Sequence, residues 1–145
     1  MSPLFVRITK DTLRQLEGAA TMYAPEEACA LLTGYAYEEC FTVTAAVMSP
    51  NVSDRDRTKF FEIDPAVHIK AQKKLRNDQG KTEIIGVWHS HPGGKTEPSV
   101  TDKASSTQGN FVWMISVPGP SVQTQAYVTE RKDPTKFCQV DILID

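Results

Sequence analysis

The chain has 145 residues, close to the usual size of one domain and long enough to bury a substantial core, so we expect a single domain over residues 1–145. The formal net charge is −2 and the basic residues are scattered, which disfavours binding to DNA or RNA. The three cysteines form no Cys-x-x-Cys unit, so we expect reduced thiols and a cytoplasmic protein. Residues 1–10 lack the apolar core of a signal peptide, and we predict no transmembrane helix.

Hydrophobic periodicity in the first half of the chain predicts strands around one amphipathic helix. Thr9 is the expected N-cap of that helix, which turns Leu13, Leu16 and Ala20 inward and is stopped by Pro25. The predicted elements are a strand over residues 4–8, a helix over 9–23, paired strands over 27–33 and 41–48, and an exposed polar loop over 49–58.

The second half continues the alternation of strands and helices. We predict a short strand over 59–63, a helix from Pro65 to about Asn77, a strand from about Glu83 and a helix capped by Ser99 that runs to about Gln108. A hairpin over 111–117 and 122–129 and a strand over 137–144 that closes the sheet complete the order, which is typical of an α/β fold.

The run His89-Ser90-His91-Pro92, followed by Ser99 and Asp102, carries the most chemical information. It follows a short apolar, β-branched strand, and side chains two apart on a strand share one face, so His89 and His91 can bind one ion. Asp102 then adds a carboxylate. Two imidazoles and one carboxylate suit Zn²⁺ and leave the fourth tetrahedral position open for water. The pattern therefore favours a metal-dependent hydrolase with one Zn²⁺ per chain.

A purely structural interpretation exists for part of this motif. Ser99-Val100-Thr101-Asp102 is also a capping box that follows Pro98, which would give both polar residues a role in starting a helix. His68 lies at the edge of the apolar stripe of its helix, and we interpret it as a surface residue. Ser90 points to the opposite face of its strand from the histidines, and we expect it to support packing.

The motif resembles that of the JAMM (MPN+) metallopeptidases, in which a distant glutamate precedes His-x-His-Pro, Ser and Asp. The spacing from His89 to Asp102 matches without a gap. The segment from Glu27 to Gly34 resembles the glutamate strand of the family, and Asn51 and the stretches 60–65 and 85–88 resemble its small prokaryotic members. The similarity covers residues 6–128.

This resemblance implies a fold, a set of residue roles and a substrate class. The fold is a three-layer α-β-α architecture with a curved mixed sheet, related to the cytidine-deaminase fold. His89, His91 and Asp102 would bind zinc, Glu27 would be the general base and acid, and Ser99 would stabilise the oxyanion. The substrate would be a ubiquitin-like or sulfur-carrier protein, cleaved at the amide bond after its C-terminal Gly-Gly.

Several alternatives remain open at this point. Glu26 and Glu27 are adjacent on a predicted strand and face opposite sides, so only one can face the metal, and the family pattern selects Glu27. Glu97 is a weaker candidate base. A zinc deaminase would need a glutamate two residues after its histidine and a later Pro-Cys-x-x-Cys, both of which are missing. A non-catalytic MPN scaffold that only binds partners is the other alternative.

Overall fold

The computed structural model describes residues 4–145; the predictions for residues 1–3 lie outside this range. Strands alternate with helices along the chain, as predicted. The elements are β1 (Phe5–Ile8), α1 (Lys10–Tyr23), β2 (Cys29–Tyr37), β3 (Cys40–Ser49), α2 (Pro65–Asn77), β4 (Glu83–Ser90), α3 (Val100–Ser105), β5 (Val112–Val117), β6 (Gln123–Thr129) and β7 (Phe137–Ile144).

The seven strands of the described residues form one mixed sheet in the order β1-β3-β2-β4-β5-β6-β7. Strand β1 runs parallel to β3 on one side and to β7 on the other, so the sheet closes on itself. Strands β4 and β5 are also parallel, and the other neighbours are antiparallel. The curved mixed sheet is therefore confirmed, whereas its closure through β1 is an addition to the expected architecture. The single domain and the relation to the deaminase fold stay predictions.

The two faces of the sheet pack against different helices. On one face Trp88 and Met114 are fully buried in a cluster that includes Leu13, Leu16 and Ala20 of α1. Successive residues of a strand face opposite sides, so their neighbours Val87 and Trp113 lie on the other face, where they pack with Phe61 and line a cavity next to α2. Because of this alternation, residues 89 and 91 lie on the same side of the sheet as Val87, the side that faces α2.

Local signals set the helix boundaries. Helix α1 begins after Thr9, whose hydroxyl accepts a hydrogen bond from the backbone of Thr12, as predicted. Helix α2 begins at Pro65 after Asp64, whose carboxylate accepts from the backbone of Ala66.

Three predicted elements are corrected by the structure. Residues 59–63 are not a strand: only one isolated bridge joins Asn51 to Ile63, because the Asn51 side chain bonds the backbone of Phe60 and Glu62. Helix α3 ends at Ser105 and does not reach Gln108, whose carbonyl accepts a hydrogen bond from Thr129. Strand β2 begins at Cys29, two residues after Glu27, and continues to Tyr37.

Within residues 4–145, no helix combines the length and the apolar character that crossing a membrane requires.

Candidate metal centre

The end of β4 places two imidazoles next to each other. His89 is the penultimate residue of the strand and is fully buried, while His91 follows the strand and is 16 % exposed at its side chain. Their ring centroids are 5.2 Å apart and the rings are nearly perpendicular. The prediction that both histidines share one side of this strand end is confirmed by their contact.

Each imidazole has its Nδ1 atom at hydrogen-bond distance from a backbone carbonyl. The Nδ1 of His89 lies 3.2 Å from the oxygen of Ser90, and the Nδ1 of His91 lies 2.8 Å from the oxygen of Lys95. A carbonyl oxygen only accepts, so a neutral imidazole in this position carries its hydrogen on Nδ1 and keeps a lone pair on Nε2. This is the arrangement that orients histidine as a metal ligand.

The loop that holds His91 has its own anchor. The hydroxyl of Tyr127 donates to the carbonyl of Thr96 at 2.9 Å, one residue after the Lys95 carbonyl that contacts His91. Gly93 turns the chain at a φ of +69°, a conformation that suits glycine and brings the loop back toward the strand.

Two buried carboxylates complete the cluster. Glu27, 2 % exposed, places Oε1 3.2 Å from Nδ1 of His89 and Oε2 4.0 Å from Nε2 of His91. Asp102, 4 % exposed, places Oδ2 3.2 Å from Nε2 of His89. The chain therefore brings together four of the predicted site residues, which are separated by up to 75 positions (102 − 27) in the sequence.

Asp102 and Ser99 also form the predicted capping box of α3. The Ser99 hydroxyl oxygen accepts from the backbone N–H of Asp102 at 3.0 Å, and Oδ2 of Asp102 accepts from the backbone N–H of Ser99 at 2.9 Å. The structural interpretation of these residues is confirmed. It is compatible with a metal-binding role, since the cap fixes the carboxylate beside His89.

The electrostatics of the cluster oppose the cost of burial. Burial lowers the pKa of His89, but the neighbouring Asp102 and Glu27 carboxylates raise it to about 10. Burial raises the pKa of Asp102, but contact with His89 outweighs it and holds that pKa below its ordinary value. Both shifts favour a charged His89 beside the carboxylate of Asp102 when no metal is bound.

The residues present fit a metal ion in their chemistry. His89 Nε2 is a buried polar atom that makes no hydrogen bond, although the carboxylate of Asp102 lies 3.2 Å away. The 3.2 Å between these two atoms is close to the roughly 3.3 Å that separates neighbouring ligands on tetrahedral zinc. No group of three His, Cys, Asp or Glu side chains within residues 4–145 forms a preformed cage, however, so the ligand assignment stays a prediction.

Aromatic rings surround the cluster. Phe61 stacks on His89 with centroids 4.5 Å apart, and Trp113 approaches the same imidazole edge-on at 6.1 Å. Both line a cavity of about 870 Å³ between α2, β4 and the end of α3. The role of Phe61 was not predicted from the sequence, because its segment was interpreted as a strand.

The other candidates lie outside the cluster. Glu26, Glu97 and His68 are exposed, which agrees with the interpretation of His68 as a surface residue and leaves Glu26 and Glu97 outside the buried cluster. Ser90 is fully buried, and its hydroxyl oxygen accepts from the backbone N–H of Ala28 at 2.7 Å. Ser90 is therefore bonded to the segment that carries Glu27, a contact that the expectation of simple packing missed.

Comparison with known proteins agrees with this geometry. The family model of prokaryotic homologues of the JAB domain matches residues 9–129. A desampylase of Haloferax volcanii is 31 % identical over 102 residues, which cover 70 % of this chain and 69 % of that protein.

Two solved structures share the fold. The solution structure of a Desulfitobacterium hafniense protein has a TM-score of 0.81 at 20 % identity and covers 97 % of this chain and 92 % of its own. That of a Salinibacter ruber protein has a TM-score of 0.64 at 24 % identity and covers 96 % and 91 %. At these identities the likeness establishes the fold alone.

The fold and the conjunction of a His-x-His strand end with a capped aspartate define a JAB-type domain. The chain belongs to the prokaryotic homologues of the JAB domain and is a distant homologue of a JAMM-type desampylase.

Proposed function

We propose that the protein is a zinc-dependent metallopeptidase that hydrolyses the amide bond after the C-terminal Gly-Gly of a ubiquitin-like or sulfur-carrier protein. The observation that carries this proposal is the convergence of Glu27, His89, His91 and Asp102 in a buried cluster of a JAB domain. The relationship to a desampylase supports the same class of reaction.

His89 and His91 would hold the metal through Nε2, and Asp102 through its carboxylate. Bound zinc would lower the pKa of a water molecule from about 15.7 to about 7 and so make a nucleophile available at neutral pH. The contacts of both Nδ1 atoms with backbone carbonyls would keep the two rings oriented for metal binding. Phe61 and Trp113 exclude solvent from one side of His89.

Glu27 would carry the proton. Its carboxylate lies close to both histidines in a buried position, which would place it beside a water molecule held by the metal. It would accept the proton of the water and deliver it to the leaving amine, a role worth about 10² to 10⁴ in rate.

Ser99 would stabilise the oxyanion of the tetrahedral intermediate. Its oxygen already accepts from the backbone of Asp102, which leaves the hydroxyl hydrogen free to donate to a substrate oxygen. The cap and the catalytic role therefore use different atoms of one hydroxyl.

The direct test uses ubiquitin-like proteins that end in Gly-Gly and are fused to a short peptide or linked to a lysine. We expect the zinc-loaded protein to cut after the second glycine, with the products identified by mass spectrometry. A chelator should stop the reaction and added zinc should restore it. Replacing either glycine by valine should slow cleavage sharply, because a tail bound as an extended strand beside a sheet edge favours glycines where space is tight. If no fusion is cut while another amide or a nucleoside is turned over, the proposed substrate is wrong.

One observation favours the alternative of a non-catalytic scaffold: the described residues hold no preformed three-ligand cage. A scaffold would retain no zinc. It would also have no peptidase activity, so replacing Glu27 would change no rate. The metal content of the purified protein separates the two functions.

A further inference from the structure

Glu27 precedes β2, so it lies outside the regular hydrogen-bond ladder of the sheet. Its backbone N–H instead donates to the carbonyl of Arg57 at 2.8 Å, in the loop between β3 and α2. A side chain that moves a proton must be held to within about 0.5 Å of its working position. The segment of Glu27 therefore needs other contacts to fix it.

We infer that Asn51 and Ser90 are positioning residues that fix the carboxylate of Glu27 against the two histidines; this inference rests on the role proposed above for Glu27. Neither side chain touches the reacting atoms. Both act on the backbone of residues 27 and 28, one from each side.

Asn51 joins the Glu27 segment to the loop that covers His89. Its Nδ2 donates to the carbonyl of Glu27 at 3.0 Å and to that of Phe60 at 2.9 Å. Its Oδ1 accepts from the backbone of Ser53 and Glu62, both at 3.1 Å. The side-chain amide of Asn51 therefore holds the backbone of Glu27. It also holds the two chain neighbours of Phe61, and so positions the ring that stacks on His89.

Ser90 joins the Glu27 segment to the strand that carries the histidines. Its hydroxyl oxygen accepts from the N–H of Ala28 at 2.7 Å, and its own N–H donates to the carbonyl of Ala28 at 3.0 Å. The residue lies between His89 and His91 and is fully buried. A shift of Ser90 therefore moves the imidazoles and the carboxylate relative to each other.

The kinetic test compares Ser90→Ala with Ser90→Thr and adds the variant Asn51→Asp. Ser90→Ala removes only the acceptor for Ala28, and Asn51→Asp keeps the acceptor oxygen but loses both Nδ2 donors. We expect kcat to fall about 10- to 100-fold in Ser90→Ala and Asn51→Asp, with KM and zinc content unchanged. Ser90→Thr retains a hydroxyl and should restore most of kcat. The exposed residues Ser121 and Asn77 provide the controls Ser121→Ala and Asn77→Asp.

Two further measurements separate positioning from general stability. In a Glu27→Gln background, Ser90→Ala should lower the residual rate less than twofold, because the group it positions has already been removed. Amide hydrogen exchange of the metal-free protein should be faster at Ala28 in Ser90→Ala than in the parent, without a global loss of protection.

The outcomes are distinct. Full kcat in Ser90→Ala and Asn51→Asp, or an equal loss with and without Glu27, would overturn the inference and leave the proposed function intact. If the parent protein cleaves nothing, the proposed function fails, and unchanged exchange at Ala28 would then overturn the structural part of the inference as well.

Discussion

Asp102 is the residue at which the structural and the metal-binding interpretations meet. One of its carboxylate oxygens caps α3 and also lies 3.2 Å from His89, so a substitution removes both interactions. The two effects differ in what they change: loss of the cap costs about 1 kcal/mol of stability, whereas loss of a ligand removes the metal.

We expect purified protein to contain about one zinc per chain, and His89→Ala or Asp102→Ala to lose most of it, because three ligands are needed to hold the ion. Elemental analysis measures this directly. Thr9→Ala removes the cap of α1 far from the cluster and should keep full zinc, which controls for a general effect of lost capping. Full zinc in both site variants would show that the ligands are assigned wrongly.

Glu27 and Glu26 form a matched pair, one buried and one exposed. Glu27→Gln keeps the shape of the side chain but cannot accept a proton at neutral pH, so we expect retained zinc and a loss of about 10² to 10⁴ in kcat. Glu26→Gln should change the rate less than twofold. Steady-state kinetics with metal analysis of both variants decides the assignment, and equal losses would contradict it.

The proximity of His89, His91 and Asp102 could be predicted from the sequence because they form a dense local pattern. The roles of the neighbouring residues that hold this cluster in place could not be predicted from the sequence. Asn51 and Phe61 act through hydrogen bonds and stacking across long sequence separations, and such contacts leave no periodic trace in the chain. Ser90 was placed on the correct face of its strand, but its partner at Ala28 is 62 residues away.

At the scale of elements, local signals predicted most helices and strands, and tertiary contacts overrode the rest. Helix α1 and strand β7 have the predicted bounds to within one residue. Residues 59–63 have a strand-like composition, yet the Asn51 side chain takes the backbone partners that a strand would need. Helix α3 stops early because its continuation bonds to Thr129 instead.

The pairing of β4 with β5 depends on a close approach at Gly86. A Cβ atom there would lie 2.3 Å from the carbonyl oxygen of Val112, whereas one at the exposed Gly18 of α1 would meet nothing within 4 Å. We expect Gly86→Ala to lower the free energy of unfolding by about 1–3 kcal/mol through overpacking. Gly18→Ala should raise it by about 1 kcal/mol, since alanine is the better helix former.

Denaturant unfolding of the two variants measures both effects. Because His89 lies on β4, Gly86→Ala should also weaken zinc binding, while Gly18→Ala should not. A Gly86→Ala variant as stable as the parent would mean that β4 and β5 can separate without cost.

For the whole molecule, the mixed sheet was predictable, whereas the pairing of β1 with strands from both ends of the order was not. Alternation of strands and helices favours an α/β sheet wherever it occurs. The pairing of β1 with both β3 and β7 joins residues at opposite ends of the chain, such as Phe5 with Asp141, and local periodicity carries no information about it. Strand β4, which carries His89, lies in the middle of the strand order, between β2 and β5.

The buried charges of the site make the stability of the whole metal-free protein depend on pH. The pKa of His89 is about 10 in the folded protein against 6.5 for a free side chain, so its contribution is complete below pH 6.5 and is lost as the pH rises toward 10. The lowered pKa of Asp102 acts in the opposite direction. The contribution of Asp102 to stability is present above pH 3.8 and is lost as the pH falls below that value. We therefore expect the thermal midpoint of the metal-free protein to decline from pH 6.5 to 10.

The His89→Gln variant tests this cause, because glutamine preserves much of the volume of the side chain and does not titrate. Its thermal midpoint should change less over the same pH range. Zinc bound at His89 would replace its proton, so the stabilisation that zinc gives the parent should increase as the pH rises, by up to about 1.4 kcal/mol per unit for one displaced proton. Calorimetry of the metal-free and zinc-loaded forms between pH 6.5 and 10 measures both trends. Parallel curves for the parent and for His89→Gln would show that another group controls the pH dependence.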